Sequence, residues 1–518
     1  MKKLLLILLV IILALPSITA LFHQGFFQSD DGEWMIIRFS AFHQTLRAGE
    51  FPVRFLSRLN YEYGYPVANF LYPGFMYLAE VPKILGFGFV NSIKIIFGLS
   101  MAGSLIFVYL WLSKFFDKFS SIAGALLYLY APYHLYDIYK RGSVGEVLAL
   151  AIIPFILWQI ERKNIFWTSI GIALLILSHN TLAVLFLPVV ILYMLLDILI
   201  AKKSQKLSTI YYLLFTVFSG LGISSFFWIP ALADLQYTVF SQTVVSSWSS
   251  YFADTSLIGL SIIFVFLLTI ILFLTKKIAI AKHRLTILFF IIGILSLFFS
   301  VELSKPLWNF LPVSFIQFPF RFLSLTILCA AFLAAMSLSL LAKNLKIIMA
   351  VILLLLLGFS AKQFISPSLF FDKGDLFYAT NEGTTTVRNE YMPKWVKAPP
   401  SLRPNAKVEN LNGKEKINTT IVSPKQISFD VYLPVSRVIQ VNTVYFPGWM
   451  AVVNGEKADI DYSNQQGLIR LNLTKGQNNV SVAFKETPIR LASDFISLLS
   501  FCLLILISLR PKKIVVVT

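Results

Sequence analysis

Long apolar runs dominate this chain and constrain its fold more than any other feature. About twelve of them are long enough to cross the hydrocarbon core of a bilayer as helices. Of the 518 residues, 57% are hydrophobic and 14% are charged, against about 25% charged in soluble domains. The runs lie at residues 4–22, 90–113, 119–134, 144–160, 165–181, 183–201, 208–231, 256–275, 285–300, 320–341, 345–364 and 489–509. The sequence therefore predicts a polytopic α-helical membrane protein whose first partner is the lipid bilayer.

The charge of the chain follows the predicted loops. The formal net charge is +18, but no basic stripe with interleaved aromatics suggests nucleic acid as a partner. The Lys and Arg residues instead fall in alternate short loops, as the positive-inside rule requires. These loops lie at 114–118, 162–163, 202–206, 276–284, 343–346 and 510–513. We therefore place both termini in the cytoplasm of a multi-pass protein of the cell (plasma) membrane.

Two segments of the chain can each be placed in more than one way relative to the membrane. The apolar run after Lys2 and Lys3 could be a cleaved signal peptide, but its length and the spans behind it favour an uncleaved first helix. Residues 66–86 carry three prolines and Glu80. We expect this segment to be interfacial or re-entrant rather than a full crossing, because a broken backbone at membrane depth needs protein to cover it.

The region from 366 to 487 lacks the long apolar runs of the rest of the chain. Short segments there alternate apolar and polar residues, which is typical of antiparallel strands. The turns between them carry glycine, at Asn454-Gly455, Gln466-Gly467 and Lys475-Gly476. We expect a small extracytoplasmic β-sandwich here. The predicted domains are a transmembrane domain at 1–365 with a first outer loop at 23–89, the β-rich domain at 366–487, and a final helix with a cytoplasmic tail at 488–518.

The first outer loop holds the strongest candidate site, within Gln28–Arg58. Asp30 and Glu33 fit a helix N-cap with its box partner, which is the structural alternative to a functional role. An apolar stripe then recurs at helical spacing, at Met35, Phe39, Phe42 and Leu46. Asp31 and Arg38 share the polar face, about 10 Å apart along the axis. Arg38 could hold a phosphate through its planar fork, and Asp31 could act as general base toward an acceptor hydroxyl.

Further polar clusters fall on the same predicted outer face. They contain Arg141 and Glu146 after one span, His179 and Asn180 at the end of another, and Gln317 and Arg321 at the start of a third. Each has an ordinary alternative, namely a loop with a glycine turn, a hydrogen-bonded structural histidine, or an arginine that snorkels to the interface. A lipid phosphate is a candidate partner for Arg321. We expect the clusters to meet in one cavity, because a site needs groups that converge.

Several short motifs, spread over nearly the whole chain, resemble those of one family. They are Tyr63-Gly64-Tyr65-Pro66, Asn69-Phe70, Tyr72-Pro73, Arg141-Gly142 with Glu146, Leu177-Ser178-His179-Asn180, Gln317-Phe318-Pro319-x-Arg321, and Glu390-Tyr391-x-Pro393. They resemble the bacterial membrane proteins labelled 6-pyruvoyl-tetrahydropterin synthase-related. Tyr445-x-Pro447-Gly448-Trp449 resembles the C-terminal module of YfhO-like proteins. The group in turn resembles the GT-C superfamily of polytopic glycosyltransferases.

This resemblance implies a GT-C-like fold, a polyprenyl-phosphate sugar donor, and an essential acid in the first outer loop. Asp31 best fits that acid, with Asp30 and Glu33 as rivals. The candidates for substrate binding are then Asp30, Glu33, Arg38, Tyr65, Arg141, Glu146, His179, Asn180, Gln317 and Arg321. Met35 stands where the family often carries histidine. The resemblance fixes no cofactor, although the outer acids could hold a divalent cation, Mg²⁺ or Mn²⁺.

The hypothesis from the sequence is a membrane glycosyltransferase that acts on the extracytoplasmic face. It would move a hexosyl or pentosyl group from a polyprenyl-phosphate donor to a glycan, lipid or protein acceptor, which the β-rich domain would help to recognise. The alternative is a non-catalytic envelope assembly factor or a transporter of lipid-linked glycans. Transporters usually carry paired broken helices in two related halves, and the sequence shows no such internal symmetry.

Overall fold

Helices form most of the structure. The computed structural model describes residues 9, 12–200, 202–240, 248–278, 284–308, 310, 316–384, 386 and 389–509. The helices in chain order are α1 (Ile12–Phe22), α2 (Gly32–Arg47), α3 (Gly74–Ile84), α4 (Phe89–Leu112), α5 (Lys118–Tyr130), α6 (Pro132–Tyr136), α7 (Val144–Glu161), α8 (Ile165–Ser178), α9 (Asn180–Ile200), α10 (Lys203–Ile223), α11 (Ser225–Asp234), α12 (Thr255–Ile258), α13 (Leu260–Leu274), α14 (Arg284–Ser300), α15 (Lys305–Trp308), α16 (Leu323–Ser339), α17 (Lys343–Ala361), α18 (Gly374–Thr380) and α19 (Pro488–Leu509).

The longer helices have the length and composition of membrane spans. Among the described residues, 7 helices qualify, namely α4, α7, α9, α10, α16 together with the 3-10 turn before it (Pro319–Ser339), α17 and α19. The number becomes 8 if α14 and the segment Glu302–Trp308, which bend by 84°, make one span. The apolar helices α1, α8 and α13 are shorter. The structure is thus the predicted polytopic helical type, and the number of about twelve spans stays a prediction.

Helices α7 and α16 occupy the centre of the helical region. Nearly all of their residues are buried, because both helices are apolar on every face rather than along one stripe. Small residues allow close packing around them. A Cβ atom at Gly124 of α5 would lie 2.5 Å from the Ala331 carbonyl oxygen of α16. These rigid central helices begin at Val144 and Leu323, and so they fix the positions of nearby Glu146 and Arg321.

Residues 66–86 form two short pieces rather than one long helix. A 3-10 turn covers Pro66–Asn69, and α3 has 11 residues with Pro82 inside it. A helix of that length extends about 16 Å, which is too short for a bilayer core of roughly 30 Å. This agrees with the prediction that the segment makes no full crossing.

Two antiparallel sheets form the C-terminal region. The five-stranded sheet has the order β4-β5-β10-β7-β8, and the three-stranded sheet has the order β3-β6-β9. Their strands are β3 (Val408–Asn410), β4 (Ile417–Ser423), β5 (Gln426–Leu433), β6 (Arg437–Val444), β7 (Trp449–Val453), β8 (Glu456–Ala458), β9 (Leu468–Leu473) and β10 (Gly476–Phe484). Alternate residues of both sheets, such as Phe429, Val441 and Leu471, are buried in one shared apolar core. The predicted alternation of buried and exposed side chains is therefore present.

The two sheets cover less of the chain than the predicted range of 366–487. Residues before Val408 lie along the helical region instead. There β2 (Phe370–Phe371) pairs with β1 (Phe26–Phe27), just before the site helix α2. The prediction of a sandwich over the whole range is too broad, because the stretch before Val408 is rich in proline, which cannot donate to a strand ladder.

Two buried arginines join the β-sheets and the last helix to the rest. Nε and Nη2 of Arg490 lie 2.9 and 2.8 Å from Oδ2 of Asp234 at the end of α11. Arg54 of the first loop lies 3.2 Å from Glu486 and 3.0 Å from Asp494. Breaking one partner of such a buried pair is costly, so these contacts hold the C-terminal region in a fixed place beside the first loop.

Candidate active site

A cavity of about 1000 Å³ lies between the helical region and the segment that leads to the β-sheets. Most of the site residues predicted from the sequence line it, namely Asp30, Asp31, Arg38, Arg141, His179, Asn180, Gln317 and Arg321. These residues come from four separate parts of the chain. The structure thus brings the predicted clusters together, while their roles in catalysis and binding stay predictions.

The site helix α2 starts with ion pairs rather than with the predicted capping box. Its N-cap is Asp31, not Asp30, and no side chain caps the first turn. The Asp31 carboxylate lies 3.3 Å from Nη2 of Arg141, and the Asp30 carboxylate lies 3.1 Å from Nζ of Lys140. The capping prediction is therefore wrong, because both acids pair with cations of a distant segment instead of with the helix backbone.

Backbone contacts hold this helix start against the loop after α6. The amide of Asp30 donates to the carbonyl oxygen of Lys140 at 2.9 Å, and the amide of Asp31 donates to that of Arg141 at 2.7 Å. Gly142 follows with φ of +65°. A Cβ atom there would lie 2.7 Å from Cα of Gly32. Only glycine combines this backbone angle with so close an approach, so Gly142 sets the spacing of Asp31 and Arg141.

Glu146 lies behind the cavity wall and holds its arginines in place. The carboxylate is fully buried, and its Oε1 lies 2.5 Å from Nη1 of Arg141 and 2.9 Å from Nη2 of Arg321. Nε2 of His179 is 3.4 Å from the same oxygen, and the Tyr133 hydroxyl donates to Oε2 at 3.2 Å. One carboxylate thus orders two guanidinium groups whose remaining positive charge faces the cavity.

Asp137 belongs to the same buried cluster. Its Oδ1 lies 3.6 Å from Nη1 of Arg141, yet no described residue donates a hydrogen bond to either carboxylate oxygen. Burial raises the pKa of Asp137 well above its usual range, because desolvation disfavours the charged form. Glu146 lies closer to Arg141 than Asp137 does and also contacts Arg321, so it is the main buried counter-charge for the two arginines.

Aromatic rings cover the guanidinium groups. The guanidinium carbon of Arg321 lies 4.8 Å from the centre of the Phe318 ring, and that of Arg141 lies 5.2 Å from the rings of Phe318 and Phe320. Gln317, at φ of +65°, accepts a hydrogen bond from Nη1 of Arg321 at 2.9 Å. Cation–π contact and the amide keep the arginines ordered without neutralising them.

The opposite wall of the cavity contains Glu390. The ring of the next residue, Tyr391, stacks on Phe70 at 5.0 Å and on Phe240 at 5.6 Å. The amide of Tyr391 also donates to the Tyr65 hydroxyl at 2.9 Å. These contacts fix the turn that presents Glu390 to the cavity.

Three of the predicted residues do not line the cavity. Glu33 forms an ion pair with Lys373 at 2.5 Å. Tyr65 is buried, and its hydroxyl contacts Oγ1 of Thr386 at 2.9 Å. Glu146 lies behind the arginines. The polar groups of these three residues are directed at other protein groups, and their predicted role in substrate binding stays a prediction.

His179 and Asn180 line the cavity but also bond to the protein itself. Nδ1 of His179 accepts from the Leu182 amide at 3.3 Å, and Nδ2 of Asn180 donates to the Phe70 carbonyl oxygen at 3.3 Å. The structural alternative for His179 therefore has direct support. Both residues join the end of α8 to the cavity wall, and their predicted role in substrate binding stays a prediction.

The sequence placed Asp137 in the polar cluster with Arg141 and Glu146 but gave it no function, and it gave none to Glu390. Glu390 stands in one of the recognised motifs, but nothing in its neighbourhood connects it with Asp31, far away in the chain. Asp137 is four residues before Arg141, and this spacing on one helical turn was a usable signal.

The described residues contain no group of three or more His, Cys, Asp or Glu side chains that could hold a metal ion, so the divalent cation stays a prediction.

Fold and site together define a polytopic membrane protein with an acid- and arginine-lined cavity and C-terminal β-sheets. The sequence model of the 6-pyruvoyl-tetrahydropterin synthase related domain, a family of membrane proteins, matches residues 72–366. This is more than half of the chain, which therefore belongs to that family. The resemblance drawn from the motifs is confirmed for this family. No curated protein matches the chain.

Solved structures resemble parts of the chain at low sequence identity. Arabinofuranosyltransferase AftD from Mycobacteria has a TM-score of 0.46 and 16% identity, over 69% of this chain and 27% of its own. The oligosaccharyltransferase AglB from Archaeoglobus fulgidus, solved with an inhibitory peptide and a dolichol-phosphate, has a TM-score of 0.42 and 14% identity, over 74% of this chain and 56% of its own. The chain thus spans about a quarter of AftD and just over half of AglB.

Proposed function

We propose that the protein is a membrane glycosyltransferase that moves a sugar from a polyprenyl-phosphate donor to a glycan, lipid or protein acceptor. The observation that carries this proposal is that Arg141 and Arg321, ordered by one buried carboxylate, face the same cavity as Asp31. Guanidinium groups suit the oxygens of a phosphate, and a carboxylate suits an acceptor hydroxyl. The motif resemblance to GT-C enzymes supplies the reaction class.

The arginine wall would bind the phosphate of the donor. Arg38, Arg141 and Arg321 all line the cavity, and Glu146 offsets only part of their charge. A phosphate brought to this wall gains charge-assisted contacts, which are about twice as strong as neutral hydrogen bonds. The leaving polyprenyl phosphate carries more negative charge than the bound donor, so the same wall would stabilise the transition state more than the ground state.

Asp31 would orient the acceptor hydroxyl toward the anomeric carbon of the sugar. The acceptor oxygen forms the new bond to that carbon, and the bond from the carbon to the phosphate oxygen breaks. The electron pair leaves with polyprenyl phosphate, and the acceptor proton passes to a cavity carboxylate. A cavity of about 1000 Å³ has room for a sugar, a phosphate and the end of an acceptor, since small-ligand sites span about 300–1000 Å³.

The donor would enter from the outer leaflet of the plasma membrane, with the β-sheets on the extracytoplasmic side to help recognise the acceptor. The basic loops in the sequence support this orientation. A lipid-linked donor could reach a cavity beside membrane-spanning helices by moving sideways within the bilayer, whereas it could not reach the cavity of a soluble protein in this way.

The test is sugar transfer by purified protein in lipid nanodiscs. Short-chain polyprenyl-phosphate hexoses and pentoses, radiolabelled in the sugar, would be incubated with membrane extract as the source of acceptor. We expect the wild-type protein to transfer label and Asp31→Asn to transfer it far more slowly while it expresses and folds normally. Glu302→Gln is a matched control, since the Glu302 side chain is 75% exposed. Undiminished transfer by Asp31→Asn, or by Asp31→Ala as an assembly factor or transporter would allow, contradicts the proposal.

A further inference from the structure

Among the described residues, the carboxylates of Asp30, Asp31 and Glu390 line the cavity. They differ in whether a cation of the protein already pairs with them. Asp30 pairs with Lys140 at 3.1 Å, and Asp31 pairs with Arg141 at 3.3 Å. No described residue forms a hydrogen bond or a close ion pair with the carboxylate of Glu390. Since an acid held by a guanidinium is a weak proton acceptor, Glu390 is the lining carboxylate best able to take a proton.

The protein presents Glu390 on a turn that is fixed from several sides. Asn389, at φ of +53°, opens the turn, and the Met392 amide donates to its carbonyl oxygen at 2.7 Å. The Met392 carbonyl oxygen accepts from the Val239 amide at 3.0 Å. The ring of Tyr391 also stacks on Phe70 and on Phe240, and together these contacts leave the half-buried Glu390 side chain few positions other than the cavity.

The charges around Glu390 suit a general base. Arg38 and Asp31 act on it from α2, and it lies close enough to Tyr65 and Tyr391 to influence them. Burial raises the pKa of Glu390 above its usual value, while the positive charge of Arg38 opposes this shift. A carboxylate with a raised pKa is a stronger base near neutral pH than an ordinary one.

We propose that Glu390 is the general base of the transfer reaction and that Asp31, fixed by Arg141, orients the acceptor hydroxyl. This inference rests on the proposed function. As the acceptor oxygen bonds to the anomeric carbon, its proton moves to a Glu390 carboxylate oxygen, and the electron pair of the broken carbon–oxygen bond leaves with the polyprenyl phosphate beside Arg141 and Arg321. Glu390 then returns the proton to water.

The experiment measures initial rates of label transfer against pH, with the same nanodiscs and the same labelled polyprenyl-phosphate sugars. For the wild-type protein the rate should fall toward acid pH as the base becomes protonated. Glu390→Gln should lower the rate by about 10²- to 10⁴-fold and remove the acid limb of the profile. Glu390→Asp should keep the limb at a reduced rate. Asp31→Asn should be slower than wild type but should retain the acid limb, because the base is still present.

The outcomes separate this inference from the proposed function. If Glu390→Gln keeps a wild-type rate or an acid limb, or if Asp31→Asn removes the limb instead, the inference is overturned while wild-type transfer still upholds the function. If the wild-type protein transfers no sugar from any donor, the proposed function itself fails. Thermal unfolding of each variant confirms folding, and Glu390→Asp provides the decisive pH profile if the glutamine variant unfolds.

Discussion

Arg321 contacts one carboxylate oxygen of Glu146 with two nitrogen atoms, Nε at 3.1 Å and Nη2 at 2.9 Å. The two residues are 175 positions apart in the chain, and both are almost completely buried. A forked contact of this kind fixes the plane of the guanidinium as well as its position. The arginine wall of the cavity therefore has one fixed orientation before any ligand binds.

Glu146→Gln should destabilise the protein, because it leaves two buried guanidinium groups without their main counter-charge. Loss of one partner from a buried pair costs about 3–5 kcal/mol, so the midpoint of thermal unfolding should fall and sugar transfer should be lost with it. Asp137→Asn is the matched control in the same cluster. Since burial raises the pKa of Asp137 and Asp137 lies farther from Arg141 than Glu146 does, this variant should unfold near the wild-type temperature. A Glu146→Gln protein as stable as wild type would show that Glu146 does not hold the two arginines in place.

Gly142→Ala should separate Asp31 from Arg141. The new Cβ atom would lie 2.5 Å from Oγ of Ser29 and 2.7 Å from Cα of Gly32, and alanine disfavours the φ of +65°. Sugar transfer should therefore fall together with stability. Gly358→Ala in α17 should leave both unchanged, because a Cβ atom there meets nothing within 4 Å. Equal rates for the two variants would show that the spacing set by Gly142 is not needed.

The stability of the protein should rise as the pH falls through neutrality, owing to Glu50. Burial raises the pKa of Glu50 from 4.5 to about 7, so between these values the folded state binds more protons than the unfolded state. The gain toward acid pH is at most about 3 kcal/mol. Glu50→Gln should weaken this dependence and stabilise the protein above neutral pH, as measured by thermal unfolding at several pH values. The exposed Glu456→Gln is the control, and an unchanged pH dependence in Glu50→Gln would refute the assignment.

Several features of the site could be predicted from the sequence because they depend on local spacing. The interval from Asp31 to Arg38 predicted one shared face, and both residues line the cavity. The basic loops and apolar runs predicted that the clusters around Arg141, His179 and Arg321 would meet. The detailed pairing could not be predicted, since the contact of Asp31 with Arg141 spans 110 positions. Local capping rules predicted that Asp30 and Glu33 cap the start of α2. In the structure, Asp30 and Asp31 instead form ion pairs with Lys140 and Arg141 of a distant segment.

The position of Glu390 in the cavity could not be predicted from the sequence either. It lies in a proline-rich stretch without clear periodicity, and long-range contacts such as the stacking of Tyr391 on Phe70 and Phe240 bring it to the cavity. The sequence suggested strands from residue 366 onward, whereas regular strands of the two sheets begin at Val408. Stacked aromatic side chains from distant segments follow no period, so neither helical nor strand patterns reveal them.

The long separation between the two arginines also bears on how the protein is made. Arg141 and Glu146 are synthesised well before Arg321, so the buried carboxylate must first be matched by one arginine alone. The full charge balance exists only after α16 has been inserted beside α7. An incomplete chain that stops before α16 therefore carries an ionic cluster in which Arg141 alone of the two arginines balances Glu146.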